Sequence, residues 1–339
     1  VSAWCYAESL RGLYNDLLSP HRHANILRIE ARSWRLRASE RIHSPTIVCD
    51  TIPMSITHED AEPRTDRPAR IPTRRSVLMC RPEHFVVVYR INPWMDPALP
   101  TDTSLAVQQW DVLYRTYVEL GYDVQLIEPI EGLPDMVYAA NGGFVVDNVA
   151  YGASFTYPER QPEGPAYMDW FRSHGFEVAE PRSVNEGEGD FLLVGDTILA
   201  GTGFRSTDAS HGELAELYGR EVVSLRLIDP NFYHLDTALS VLDGTPGQEH
   251  IAYLPSAFDD ASRAVIAERF PDAIVVNDED AAVLGLNSFS DGYNVVIASR
   301  AVDFERQLRE HGYNPIGVDL SELLLGGGGV KCCTLELRR

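Results

Sequence analysis

One periodicity limits the choice of folds more than any other feature of the chain. An amphipathic helical stretch returns five times at roughly 50-residue spacing, over residues 104–120, 164–174, 210–218, 259–270 and 302–311. Gly121, Gly175, Gly219 and Gly312 stand just past four of these stretches, where a left-handed C-cap is wanted. Short β-rich runs fill the intervals, at 77–80, 85–89, 123–127, 143–147, 191–194, 221–225, 239–242, 251–254, 273–276 and 294–298. A doubly wound sheet would show one strand per helix and a glycine-rich dinucleotide turn. Neither pattern is present. About three strands per helix predict instead an α/β protein in which a ββαβ unit repeats five times around an axis.

The repeat begins near residue 76, and what precedes it has a different texture. Residues 1–73 are rich in arginine, are punctuated by Pro45, Pro53, Pro63, Pro68 and Pro72, and hold neither a 3.6 nor a 2.0 apolar period. They contain no apolar core of a secretory signal. We therefore expect an N-terminal extension, poorly ordered or not part of the native protein, followed by a single domain over 74–339. Charge divides the same way. Residues 1–75 hold 12 Arg against 9 acids, and 76–339 hold 17 basic against 41 acidic residues, so the repeat region is net −24 within a chain of −21. That balance argues against nucleic acid or an anionic membrane surface as partner and favours a small cationic ligand. No apolar run approaches 18 residues, so no membrane span is expected. Five cysteines without framework spacing point to a reducing, cytoplasmic setting. Oligomeric state is not legible.

Four segments place polar residues in apolar or glycine-rich surroundings: 134–143 (PDMVYAANGG), 185–190 (NEGEGD), 232–237 (FYHLDT) and 326–334 (GGGGVKCCT). Three carboxylates in five residues, spaced by glycine, are an unusual entry to a strand, although an isolated segment of this kind also reads as a solvated acidic turn. His234 and Asp236 would share a face if 234–236 were a strand. The four glycines deliver Cys332 along a path free of side chains. The chain's one lysine, Lys331, would favour the thiolate if its ammonium lay near the sulfur. Adjacent cysteines cannot readily fill two vertices of a zinc tetrahedron, and no second pair accompanies them, so no metal or other cofactor is expected. A thiolate, an imidazole and several carboxylates together suit a cationic carbon electrophile, of which guanidinium is the obvious biological example.

The order of these motifs resembles the guanidine-modifying, or pentein, superfamily. Its members include arginine deiminases, dimethylarginine dimethylaminohydrolases, arginine dihydrolases and amidinotransferases. The resemblance runs from about Arg75 to Leu337 and implies a five-bladed ββαβ pseudo-symmetric propeller. It also implies Cys332 as nucleophile, His234 as general acid/base, and Glu186 as the carboxylate that orients the histidine, with Glu188 as its rival. Asp190, Asp236, Asn141 and Glu188 would grip the substrate, and Arg205 would pair with its α-carboxylate. The segment 92–96 (NPWMD) is similar to a motif near the substrate mouth, which makes Asn92 a further candidate. Deiminases and dimethylargininases of the family carry Asp where this chain has Asn141. The neutral amide resembles the dihydrolase type, which carries arginine through to ornithine, ammonia and carbon dioxide. The implied activity is hydrolysis of a guanidino group through a covalent amidino-thioether. Transfer to an amine acceptor and non-catalytic arginine binding remain open as alternatives.

Overall fold

The computed structural model describes residues 69–339. The extension expected over 1–73 lies outside these residues except for its last few. Those few are already fastened to the domain: Thr73 donates its N–H and its hydroxyl to the Asp291 carbonyl, at 2.8 and 2.7 Å.

In chain order the elements are β1 (Ser76–Cys80), α1 (Thr103–Glu119), β2 (Asp123–Ile127), β3 (Gly143–Val146), β4 (Val149–Gly152), α2 (Glu163–Ser173) and β5 (Glu177–Ala179). They continue with β6 (Phe191–Val194), β7 (Thr197–Thr202), α3 (Asp208–Tyr218), β8 (Glu221–Arg226), β9 (Leu239–Asp243), β10 (His250–Tyr253), α4 (Asp260–Arg269) and β11 (Ile274–Val275). The last are β12 (Phe289–Ser290), β13 (Asn294–Ala298), α5 (Val302–Glu310), β14 (Asn314–Val318) and β15 (Leu335–Glu336), with short helical turns between some of them.

The fifteen strands form five three-stranded sheets, and every sheet has the same topology. A first strand runs antiparallel to the middle one, and the middle strand pairs in parallel with the third after the helix has crossed over. In one blade the antiparallel partner of β1 is β15, from the other end of the chain. The C-terminal strand thus closes a five-bladed, pseudo-symmetric propeller. First strands of neighbouring blades adjoin, β15 with β3, β6 with β9 and β9 with β12.

Local sequence explains most of these elements. Asp102 and Asp259 accept from the N–H groups of Leu105 and Ser262 and so cap α1 and α4, each worth about 1 kcal/mol. Gly121 and Gly312 leave their helices at φ +80°, and a side chain there would meet open space. They are needed for conformation, not for room. The run at 85–89 departs from expectation. It keeps a strand's alternation, with Phe85 and Val87 buried and Val86 and Val88 exposed, yet forms no ladder. Both edges of the adjacent β1 are occupied by β2 and β15, so no partner edge remains.

Candidate functional site

The propeller repeats one more feature. The turn entering the first strand of each blade carries a buried polar group: Asn141 ahead of β3, Glu186 to Asp190 ahead of β6, His234 and Asp236 ahead of β9, Asn287 ahead of β12, and Cys332 ahead of β15. Five separate stretches of chain are brought to one end of the axis in this way.

Cys332 arrives on the glycine loop. A methyl group at Gly326 or Gly328 would overlap the Tyr138 ring, and Gly327 has φ +85°. The loop is held by Asn92, whose Nδ2 donates to the Gly326 carbonyl at 3.0 Å and to Tyr233 Oη at 3.2 Å. Cys332 Sγ donates to Asp236 Oδ2 at 3.3 Å and accepts from Asn287 Nδ2 at 3.2 Å. Both cysteines border one apolar cluster, and of the two it is the Cys332 sulfur that the Asp236 and Asn287 side chains reach. Burial pushes the Cys332 thiol well above its ordinary range, and the charge of Asp236 adds to that.

The expected help from Lys331 is a correction. Its ammonium is engaged by Glu188 at 2.6 Å and the Thr334 carbonyl at 2.9 Å, and it makes no bond to the sulfur.

His234 is not in a strand. It is extended and caps a helical turn, Leu235–Ala238, so His234 and Asp236 meet the site from a turn rather than from one face of a ladder. His234 Nε2 lies 2.8 Å from Glu186 Oε2. The same carboxylate oxygen accepts from Arg205 Nη1 at 2.8 Å. Burial would lift the Glu186 carboxyl, but Arg205, with His234 and Arg160 behind it, holds it well below the usual carboxylate range. Glu186 therefore stays ionised beside the imidazole, as a group that orients and charges it must.

Three further candidates make buried contacts within the protein. Glu188 bonds Lys331, Arg338 and the Glu336 N–H, which leaves Glu186 alone at the histidine. Asp190 accepts the Leu235 and Ser206 N–H groups, each at 3.1 Å, and so caps the turn that bears His234. Arg205 donates to Glu186 and to the Ile91 carbonyl (2.9 Å), between the rings of Tyr157 and Tyr233. Two of its five N–H donors are thus committed to the histidine's support and to the backbone.

Asn141 stands 1% exposed, joined to the cysteine loop by the Ala140 N–H to Cys332 carbonyl bond at 3.0 Å. Its Oδ1 accepts from Arg160 at 2.8 Å, and its Nδ2 is 3.4 Å from the Glu186 carbonyl. Only glycine fits at 189, because a side chain there would collide with the Asn141 amide.

Two functional residues escaped the sequence reading. Arg160 is buried, paired with Glu163 at 2.7 Å and fixing Asn141; nothing in 157–162 sets it apart from a surface turn. Asn287 was detectable, since the repeat predicts a polar group ahead of every first strand and the β12 turn offers Asn287 and Ser288.

The most informative atom is Asp236 Oδ1. It is fully buried and has no hydrogen-bond partner among the described residues, while its sister oxygen holds the thiol. A buried, unsatisfied carboxylate oxygen costs free energy unless a donor reaches it. Burial pushes this carboxyl up to about 6, against the pull of His234 and Lys331. The arrangement is a hydrogen-bond acceptor for a cation, set directly beside a nucleophile.

No family model matches the chain. The N(G),N(G)-dimethylarginine dimethylaminohydrolase of Mycobacterium tuberculosis is 53% identical over 278 residues, which cover 82% of this chain and 91% of that protein. The bifunctional arginine dihydrolase/ornithine cyclodeaminase ArgZ of Synechocystis is 38% identical over 268 residues, 77% of this chain but 37% of that longer protein. Among solved structures, the N-terminal domain of ArgZ, an arginine dihydrolase seen as a cysteine-to-serine variant bound to substrate, matches with TM-score 0.75 and 36% identity. The match covers 78% of this chain and 98% of that domain.

Proposed function

We take as premise that the chain belongs to the dimethylarginine dimethylaminohydrolase and arginine dihydrolase family, and we propose that it is a cysteine hydrolase that takes free L-arginine through to ornithine. The observation that carries the reading is the unsatisfied Asp236 Oδ1 beside the Cys332 thiol. A guanidinium N–H satisfies that oxygen and brings the electrophilic carbon to the sulfur.

The resting protein holds Cys332 as a thiol bonded to Asp236. A bound guanidinium brings one positive charge that offsets the Asp236 charge, and this favours the thiolate. The thiol proton passes to His234 and the thiolate attacks the guanidino carbon to give a tetrahedral adduct. His234, oriented by Glu186, passes a proton to the departing nitrogen, and ammonia leaves an amidino-thioether on Cys332. The now neutral side of His234 takes a proton from water, which attacks the same carbon and expels the thiolate, giving citrulline. A second attack on the ureido carbon releases the second ammonia and forms a thiocarbamate. Water then frees the carbamate of ornithine, which loses carbon dioxide.

The dihydrolase form rests on Asn141. An Asp there would ion-pair with the guanidinium and release the neutral ureido product, whereas an amide distinguishes little between the two and retains citrulline for the second round. A second reading, removal of dimethylamine from dimethylarginine, is supported by the 53% identical relative of that name. A catalytic thiol has to stay reduced, so the proposed setting is the cytoplasm.

Purified protein is incubated with L-arginine and, separately, with asymmetric dimethylarginine, each beside Cys332→Ala. Ornithine with two ammonia per arginine, absent in the variant, is the expected result. Citrulline from dimethylarginine alone would move the assignment to the second reading, and no turnover of either would overturn both.

A further inference from the structure

We propose that Asn287 is a positioning residue for the nucleophile: its side-chain amide holds Cys332 Sγ in place and donates the hydrogen bond that the sulfur keeps as it becomes a thiolate. Its consequence for turnover rests on the guanidino-hydrolase reading, while its consequence at the sulfur does not.

Asn287 is completely buried and joins three points of the site. Its backbone carbonyl accepts the Lys331 N–H at 3.2 Å, and its Oδ1 accepts the Cys332 N–H at 3.0 Å. Its Nδ2 donates to the Asp236 carbonyl at 3.1 Å and to Cys332 Sγ at 3.2 Å. The partners fix the orientation of the amide without ambiguity. A backbone N–H can only donate and a backbone carbonyl can only accept, so Oδ1 faces Cys332 N and Nδ2 faces the Asp236 carbonyl and the sulfur. One side chain from the β12 turn therefore clips the cysteine loop to the turn that carries Asp236. A methyl at Gly329 would stand 3.0 Å from Asn287 Oδ1, so the last glycine of the loop is matched to this clip.

The electrostatic part follows from what else surrounds the sulfur. The titratable groups facing it are the Asp236 carboxyl, the Cys333 thiol and the hydroxyls of Tyr138 and Tyr233. None of these is a cation, and the Lys331 ammonium is held by Glu188. The Gly329 N–H also lies beside the sulfur, but Asn287 supplies the one side-chain donor bonded to it among the described residues. When the proton leaves, the sulfur loses the bond it gave to Asp236 and keeps the bond it receives from Asn287. A hydrogen bond to a charged acceptor is roughly twice as strong as to a neutral one, so the amide favours thiolate over thiol. It does so when the thiolate attacks and again when water expels it.

The test reads the sulfur directly and needs no arginine turnover. Second-order alkylation of Cys332 by iodoacetamide is followed from pH 6.5 to 10 by peptide mass spectrometry, which separates Cys332 from the other cysteines, in the wild type, N287A and N287D. N287D retains an acceptor for the Cys332 N–H and replaces only the donor. Alkylation at fixed pH is expected to slow about 10-fold in N287A, with the pH profile displaced upward, and to slow further in N287D. On the confirmed substrate kcat should fall by roughly 10- to 100-fold with little change in KM. A merely structural role predicts the opposite sign, because a loosened loop exposes the buried thiol and speeds alkylation. Unchanged or faster alkylation in the variants overturns the proposal, and N287S replaces N287D if that variant does not fold. Slowed alkylation in a protein that hydrolyses no guanidino compound would leave this inference standing and remove the functional reading.

Discussion

Two clusters in this molecule are built from the same two stretches of chain, 186–190 and 331–338, and they behave in opposite ways. In the first, Glu188 is saturated: it binds Lys331, Arg338 and the Glu336 N–H. This knot borders an axial cavity of about 280 Å³ lined also by Ser240, Ser288 and Ser290. In the second, Glu186, two residues earlier, binds His234 and Arg205, and Cys332, one residue after Lys331, meets an Asp236 that still has an empty acceptor. Neighbours in sequence face different neighbourhoods. The saturated cluster contributes stability, and the unsaturated one is prepared for a ligand. Glu186 and Glu188 are both fully partnered, and it is the identity of their partners, with the unpartnered Asp236 oxygen beside Cys332, that separates the two clusters.

That comparison is most severely tested at the carboxylates themselves. Glu186→Gln should lower kcat/KM by about 10²- to 10³-fold, because the histidine loses the charge that orients it. Glu188→Gln should leave kcat within a few-fold while lowering stability by about 3 kcal/mol, the cost of leaving Lys331 and Arg338 without their buried partner. Denaturant unfolding beside steady-state kinetics measures both. Equal loss of kcat in the two variants would erase the distinction between the clusters.

Next in size is the effect of the unsatisfied carboxylate. Asp236 has its carboxyl raised from the ordinary 3.8 to about 6 by burial, so the folded protein binds this proton more tightly than the unfolded chain does. Its contribution to stability therefore falls as pH rises from 3.8 through about 6, and at pH 7.5 the ionised group destabilises the fold by about 2–3 kcal/mol. Asp236→Asn should then raise the melting temperature at pH 7.5 while abolishing turnover, a stability–function exchange seen at many active sites. In the wild type, kcat/KM should fall as pH drops through about 6, since a protonated Asp236 no longer attracts a guanidinium. The groups facing it are His234, Lys331, Asp190 and Cys332. A Asp236→Asn variant of unaltered activity would contradict the assignment.

The smallest expected effect concerns product and not rate. Asn141→Asp should shift the output from ornithine toward citrulline, with arginine consumption changed less than 10-fold. Quantitative amino-acid analysis gives the ratio, and unchanged ornithine output would remove Asn141 from the account of the second hydrolysis.

The architecture was largely legible in the chain because a fivefold recurrence of helix and short β runs, with a glycine after four of the helices, admits few folds. Six strands were not: β4, β5, β7, β12, β14 and β15. Five of them have two to five residues, too few for a readable period, and form because neighbouring strands offer edges; the six-residue β7 is the exception. The 85–89 run is the converse case, in which the pattern exists and the edge does not. At the site, residue types singled out the stretches that hold Cys332, His234 and Glu186, each of which leads into the first strand of a blade. Pairing decided the rest, and pairing is a property of three dimensions. That Glu186 lies 2.8 Å from Arg205, and that two backbone N–H groups bond the Asp190 carboxylate, could not be read from residue types.

The central claim is that a guanidinium is held on Asp236 and attacked by Cys332. Acid-quenched protein mixed with L-arginine and analysed by intact and peptide mass spectrometry tests it most directly. The account predicts a transient adduct on the Cys332 peptide with the mass of arginine less ammonia, absent in Cys332→Ala and in Asp236→Asn. Ornithine or citrulline formed with no such adduct, or an adduct on any other cysteine, would contradict it.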